Sequence, residues 1–450
     1  MVNSCLRLGD DAMIQDRQGN SLPGASPKAA ELFDLSCRRF ARFRGDPVAP
    51  LDDAIDDSPE FGMAKIAKAW IYVMSTEPGA TAGARRTLRD LEKEHTAPSE
   101  REAAHMKALQ AATVGNWTEA GRVLDMWSAF HPRDYLALLA GHQIDFLTAN
   151  ARNLRDRIAR ALPAWEKVPE RSFLLGMLAF GLEEAGDYAR AEAAGREALE
   201  KDADDAWAHH AVAHVMEMQG RAEEGRDFIR RRRANWAQPD SFLKIHNWWH
   251  LALCHLELGE FESALQLYDD EIRAGESAVA MNLADAAALL WRLHVIGVDV
   301  GERWDELAEA WTQHADGRCY PFNDMHAAMA FIGAGRRNDA LDLLVAAEGA
   351  GPGEMRDWMA QTGRPVIEGL VAFDRGHYME AAELLFPARQ IYGTFGGSHA
   401  QRDVIDWTLT EAAIRGKIHG LADSLIAERL SLRPGSRINR AFQARSKKEH

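Results

Sequence analysis

One short pattern recurs along the 450 residues and constrains the fold more than any other feature. A small residue is followed at fixed spacing by a glycine, then an aromatic, then an alanine. Ala108-Gly115-Trp117-Ala120, Ala179-Gly186-Tyr188-Ala191, Ala252-Gly259-Phe261-Ala264 and Gly369-Gly376-Tyr378-Ala381 carry it whole. Ala213-Gly220-Gly225 and Ala328-Gly335-Ala340 lack the aromatic. Each feature has a physical cause. The glycine ends a first helix by taking a positive φ. The small residues let two helices approach closely, and the aromatic wedges between them. The intervening stretches are rich in Ala, Leu and Glu, which favour helix. No run of alternating β-branched residues predicts a sheet. Pro59, Pro132 and Pro434 fall where second helices should stop.

Gly186 to Gly220 spans 34 positions, the tetratricopeptide period, and Gly220 to Gly259 spans 39, so a short insertion is expected around Pro239. One such repeat cannot bury its apolar face alone, so neighbours stack. The chain should therefore be all-α: a tetratricopeptide-type α-solenoid, right-handed, of about eight helix pairs with a concave inner pocket. It is expected to cover residues 28–440 as a single superhelix, with variant pairs around 134–165 and 280–315. Residues 1–27 read as a loose leader and 441–450 as a frayed tail. No apolar stretch approaches about 20 residues, so no membrane span is expected. The opening residues run quickly into Asp10 and Asp11 and do not read as a signal peptide, which points to the cytoplasm. A net charge of -15 argues against nucleic acid as a partner. The basic run Arg230–Arg233 reads as a solvated helix end, where cations are favoured. Cys5, Cys37, Cys254 and Cys319 show no CxxC spacing and read as reduced thiols.

In this repeat class the first helix of each pair lines the inner face, at positions recurring every three or four residues. The helix around 207–219 places His210, His214 and Glu217 on one stripe, with Val212 and Met216 packing against the neighbouring helix. The next first helix carries His246 and His250, again four apart, with Trp249 beside them. Stacking should bring the two HxxxH pairs together. Asn323, Asp324 and His326 open a later first helix, where Asp324 has the position of a cap. His142 and Asp145 lie three apart on an earlier one. Gly396-Gly397 precede Ser398-x-x-Gln401, a capping-box pattern, with Arg402 in the first turn as a seat for an anion.

Two HxxxH pairs suit a divalent metal such as zinc, held by His210, His214, His246 and His250, with Glu217 or Asp324 completing the set. A histidine paired with Glu217 or Asp324 equally suits metal-free acid–base chemistry on a small polar or anionic molecule, of hydrolase or lyase type. No nucleophile signature supports covalent catalysis. A third reading is a non-catalytic scaffold whose groove binds a peptide segment of a partner, although the inward set of His, Trp, Asp and Glu suits that less well.

The segments HHAVAHVMEMQGR, HNWWHLALCHLELGEFESALQLYD, FNDMHAAMAF, GGSHAQRDV and RDRIARALPAWEKVP resemble the tetratricopeptide repeat protein 38 family over about residues 27–430. That resemblance implies a cytosolic helical repeat protein. The family pattern keeps His210, His214, Glu217, His246, His250, Asp324, His326, Gln401, Arg402 and Asp403, and it carries no established activity. From the residues themselves, the first seven are the candidate catalytic set, and His142, Trp249, Gln401, Arg402 and Asp403 are the candidate substrate contacts. His399 departs from the family pattern and is left out.

Overall fold

The computed structural model describes residues 14–93 and 97–449. Among them the regular structure is helical, with two isolated β-bridges, Gln15 to Ser21 and Arg44 to Ser241. The repeat glycines do what their spacing predicts. Gly115, Gly186, Gly220, Gly259, Gly335 and Gly376 all have φ between 69° and 85°. They follow first helices that end at Thr113, Glu184, Met218, Leu258, Gly333 and Asp374. A side chain with a Cβ is strained at such φ, so glycine ends the helix at little cost. Second helices end at Asp57, Phe130 and Leu432, each two residues before Pro59, Pro132 and Pro434.

Close helix packing follows from the small residues. A Cβ built on Gly195 would lie 2.6 Å from Val212 Cγ2, and one on Gly225 would lie 3.4 Å from Met216 Cβ. Val212 and Met216 thus fill the space between helix pairs, and burying each contributes roughly 1.5–3 kcal/mol. The aromatic wedges differ among themselves: Trp117 is buried, whereas Tyr188, Phe261 and Tyr378 are half-buried. The chain is a tetratricopeptide-type helical solenoid.

The array winds tightly enough for distant first helices to meet. Asn323 Nδ2 donates to the Thr76 carbonyl at 3.2 Å, and Tyr320 Oη donates to the Leu147 carbonyl at 3.2 Å. Trp291 Nε1 donates to Thr408 Oγ1 at 2.9 Å, and Arg292 Nη2 to the Ala400 carbonyl at 2.6 Å. The insertion near Pro239 forms the short helix Arg233–Trp236 and a turn that reaches back to the N-terminal end. There Phe242 N donates to the Phe43 carbonyl at 2.7 Å, and the Phe43 ring stacks on Trp207 at 5.0 Å.

Both ends depart from expectation. Residues 1–13 of the leader lie outside the described residues, as do Cys5 and His450. Residues 14–26, however, form a packed turn: Leu22 is buried, and the buried Asp16 receives Arg101 Nη1 at 2.9 Å. The tail is helical over Arg437–Glu449, with Phe442 buried edge-on against Trp407, because an apolar residue on its inner face covers the last repeat. Arg230 and Arg231 do sit in the last turn of their helix. No helix among the described residues is long and apolar enough to cross a membrane. Cys37, Cys254 and Cys319 are free thiols.

Candidate functional site

Two neighbouring first helices, Ala206–Met218 and Lys244–Leu258, carry the histidine pairs. Asp205 caps the first of them, accepting from Ala208 N at 2.9 Å, which sets where its turns begin. His210, His214, His246 and His250 then converge in one buried cluster. His246 Nε2 lies 2.9 Å from His210 Nε2 and 3.2 Å from His250 Nε2. Ring centroids are 4.3 Å apart for His210 and His214 and 4.4 Å for His214 and His250. One ring nitrogen from each of the four lies within 4.8 Å of all the others.

Carboxylates surround the cluster. Asp285 Oδ2 is 2.8 Å from His246 Nδ1, and Glu217 Oε2 is 2.9 Å from His250 Nδ1. Glu183 Oε2 lies 3.5 Å from His214 Nδ1. Burial, aided by the neighbouring imidazoles, pushes His210 and His250 well below the usual histidine range. Burial takes His214 down to about 4, and it raises the carboxyls of Glu217 and Glu183. Trp249 stacks on His246 at 5.3 Å from behind, and the Arg292 guanidinium lies 5.5 Å from the Trp249 ring.

His210 and His246 also form part of the wall of a partly open cavity of about 390 Å³. Most of that wall is apolar, with Phe40, Phe43, Met74, Phe146, Trp207 and Phe322 prominent. Gln143, Asn323 and Gln401 add polar atoms.

The other candidate residues stand elsewhere. His142 Nε2 donates to the Met177 carbonyl at 3.0 Å, its ring lies against Phe180 and Trp207, and burial pushes it down to about 3. Asp145 is taken by Arg157, with contacts of 2.7 and 3.0 Å. Asp324 does not cap its own helix; it accepts from Gly317 N at 3.0 Å, and burial raises its carboxyl to about 8. His326 turns Nδ1 to the Phe322 carbonyl at 2.8 Å, one turn back on its own helix. Asp324 and His326 therefore stay outside the histidine cluster, since each is held by backbone near its own helix start.

Arg402 is engaged within the fold: its Nη2 lies 3.7 Å from Glu184 Oε2, and the Glu184 carboxylate also accepts from His399 N at 3.0 Å. Gly396 and Gly397, both at positive φ, turn their carbonyls toward Arg402, and its Nη1 donates to both. A Cβ at either glycine would collide with Tyr320 or Phe322, so this tight turn needs both. Ser398 and Gln401 form the predicted capping box, and Gln401 reaches the cavity wall. Asp403 is an ion-pair hub instead of a substrate contact. It receives Arg429 at 2.8 Å, Arg433 at 3.3 Å and Trp407 Nε1 at 3.0 Å. Burial opposes its charge, but these arginines hold its carboxyl far below the usual range.

Asp285, Glu183 and Arg292 escaped the sequence reading. Asp285 sits alone in the apolar run Leu283-Ala284-Asp285-Ala286-Ala287, and a lone acid in such a run was the available signal.

No family model matches the chain. Among solved structures it is similar to a tetratricopeptide repeat protein from Parabacteroides merdae ATCC 43184, at 12% identity and TM-score 0.33, over 65% of this chain and 98% of that one. It is similar to a chain of the APC/C hetero-tetramer Cut9-Hcn1, at 12% identity and TM-score 0.44, over 93% of this chain and 76% of that one. It is also similar to the human IFIT1 dimer with m7Gppp-AAAA, at 14% identity and TM-score 0.43, over 93% and 94% of the two chains. These likenesses carry no information about the site. The class stands on the repeats themselves: this is a tetratricopeptide-type repeat protein.

Proposed function

We propose that the chain is a member of the tetratricopeptide repeat protein 38 family that takes a small molecule into its interior and acts on it at the histidine edge, as a hydrolase or lyase. The observation that supports this reading is the adjacency of a roughly 390 Å³ cavity to His210 and His246. Such a volume suits a small organic ligand. The mainly apolar wall selects an occupant with an apolar body, and the polar end of that occupant meets the imidazoles. Arg402 was the expected partner of an anionic group, but the turn carbonyls engage it, so a neutral carbonyl-type head is the better match. A peptide groove suits the molecule less well, because the Phe43–Phe242 contact ties the N-terminal end across to the first helices that bear the histidines.

The test uses straight-chain carboxylic acids, amides and alcohols of graded length, with the matching p-nitrophenyl esters. One length should raise Tm by several degrees, and its ester should turn over. Ala284 is a buried residue of the cavity wall, so Ala284→Trp should fill the space and abolish both effects while preserving the circular dichroism. If no compound shifts the wild type more than this variant, the cavity is not a ligand site.

A further inference from the structure

We infer that His210, His214, His246 and His250 bind one divalent transition-metal ion of the kind that favours imidazole, typified by zinc, with Asp285 and Glu217 orienting two of the ligands. The inference concerns the cluster alone and stands whether or not the cavity holds a substrate.

The first argument is a proton count. Asp285 sits at Nδ1 of His246 and Glu217 at Nδ1 of His250. A carboxylate only accepts, so each of these Nδ1 atoms carries the hydrogen. Both Nε2 atoms are then lone pairs, and they face each other at 3.2 Å. His210 Nε2 approaches the same point at 2.9 Å from His246 Nε2. His210 can donate one hydrogen, which leaves the lone pair of His250 still unanswered. A cation between the nitrogens removes the conflict.

The second argument is geometric. Four nitrogens at about 2.0–2.1 Å from a tetrahedral ion stand about 3.3–3.4 Å apart. The observed separations of 2.9 and 3.2 Å, with all four nitrogens inside 4.8 Å, need only small rotamer shifts to match. The third is saturation. Neither nitrogen of His214 has a hydrogen-bond partner, nor has Nδ1 of His210, although both rings are buried. Orphaned buried imidazoles are costly unless something binds them. Other buried histidines among the described residues keep at least one partnered nitrogen, His105 both, whereas His142 Nδ1, His209 Nε2 and His326 Nε2 are also unpartnered; His214 alone has neither nitrogen in a hydrogen bond, with Glu183 Oε2 at 3.5 Å. The fourth is charge. The carboxyl groups of Asp285, Glu217 and Glu183, beside three of the four rings, offer counter-charge to a bound dication. The outer pairing of carboxylate with histidine is the usual support of metal-ligating imidazole.

The experiment uses the full chain, tag-free, stripped with chelator and then dialysed against Zn(II) or Co(II). Elemental analysis should find about one ion per chain, and the cobalt form should show the intense visible bands of four-coordinate nitrogen ligation. His246→Ala with His250→Ala should abolish both signals. Asp285→Asn and Glu217→Gln retain all four ligands and the fold, and should weaken metal affinity about 10–100-fold each. Folded wild-type protein that takes up only trace metal would overturn the inference. So would stoichiometric metal that survives the double histidine change. Nitrogen NMR showing a neutral Glu217 acid with His250 donating from Nε2 in metal-free protein, together with no metal uptake, would assign the cation's place to a proton and also end the proposal.

Discussion

Two of the histidine-bearing polar clusters buried among the described residues are built on opposite plans. Near the N-terminal end, Arg101 grips Asp134 with contacts of 3.0 and 2.9 Å and Asp16 at 2.9 Å. Trp70 Nε1 donates to His105 Nδ1 at 3.0 Å, which leaves His105 Nε2 to donate to Asp134 at 3.2 Å. Trp127 adds a further donor to Asp134 at 2.8 Å. One assignment of hydrogens satisfies every one of these contacts. In the four-histidine cluster no metal-free assignment with neutral imidazoles and ionised carboxylates does. A closed network fixes a fold. A cluster that keeps lone pairs facing inward is built around something it must receive. The difference teaches that burial alone does not mark a functional site.

The largest effect should come from breaking the closed network. Arg101→Leu strands two buried carboxylates, and removing one partner of a buried ion pair costs about 3–5 kcal/mol. Urea unfolding followed by circular dichroism should show that loss at pH 7. A loss below about 1 kcal/mol would place Arg101 with ordinary surface pairs and dissolve the contrast.

Acidification next sets the N-terminal network apart from two buried histidines that belong to neither cluster. His142 has a folded value near 3 and His326 near 4, both lowered chiefly by burial, with Arg157 a further influence on His142 and Arg292 on His326. The unfolded chain therefore takes up protons first, near 6.5. Stability is full above that value and falls as pH drops from about 6.5 toward the folded values, by at most about 1.4 kcal/mol per pH unit per group. Asp134 behaves otherwise. Burial opposes its charge, but Arg101 and His105 hold it well below the usual carboxylate range, so its contribution persists until pH falls below about 3.8. Between pH 7.5 and 5.5 the wild type should lose stability. His142→Leu should lose about 1 kcal/mol less over that interval. Equal slopes in the wild type and His142→Leu would refute this reading.

How much of this was readable beforehand follows from what spacing encodes. The i, i+4 histidine pairs and Glu217 lie on one helix face, and the repeat period brings one first helix beside the next. The fold and the four-histidine core were therefore legible. Asp285 comes from a third helix, and no local spacing ties it to His246. Arg402 misled because a glycine turn before a helix normally offers N–H groups; here two positive-φ glycines present carbonyls instead. His142 and His326 share the inward register, yet each ring turns to a nearby backbone carbonyl, a choice set by χ angles that a pattern cannot reveal.

A smaller effect compares the two capping boxes. Ser99 caps the helix that carries Arg101, and Ser398 caps the helix that carries Gln401 into the cavity wall. Changing either serine to alanine should cost about 1 kcal/mol. Only Ser398→Ala should also weaken the Tm shift by a cavity ligand, because only that cap sits on the cavity side. Ligand shifts unaltered in both variants would detach Gln401 from the site.

The smallest expected change is the sharpest test. His214 is fully buried with both ring nitrogens unpartnered, and its ring stands edge-on to Phe180 at 5.4 Å. In metal-free protein, His214→Leu removes two orphaned polar atoms and fills nearly the same space. The relief of an unsatisfied buried group, worth about 1–3 kcal/mol, should offset the lost ring contact. Chelated His214→Leu should therefore unfold within about 1 kcal/mol of the chelated wild type, or later. Metal-loaded wild type should be the more stable of the pair, because an ion bound only by the folded chain stabilises it by mass action. If His214→Leu costs the chelated protein as much as Arg101→Leu does, the four histidines are a second closed network. Their lone pairs would then have been answered from within the fold.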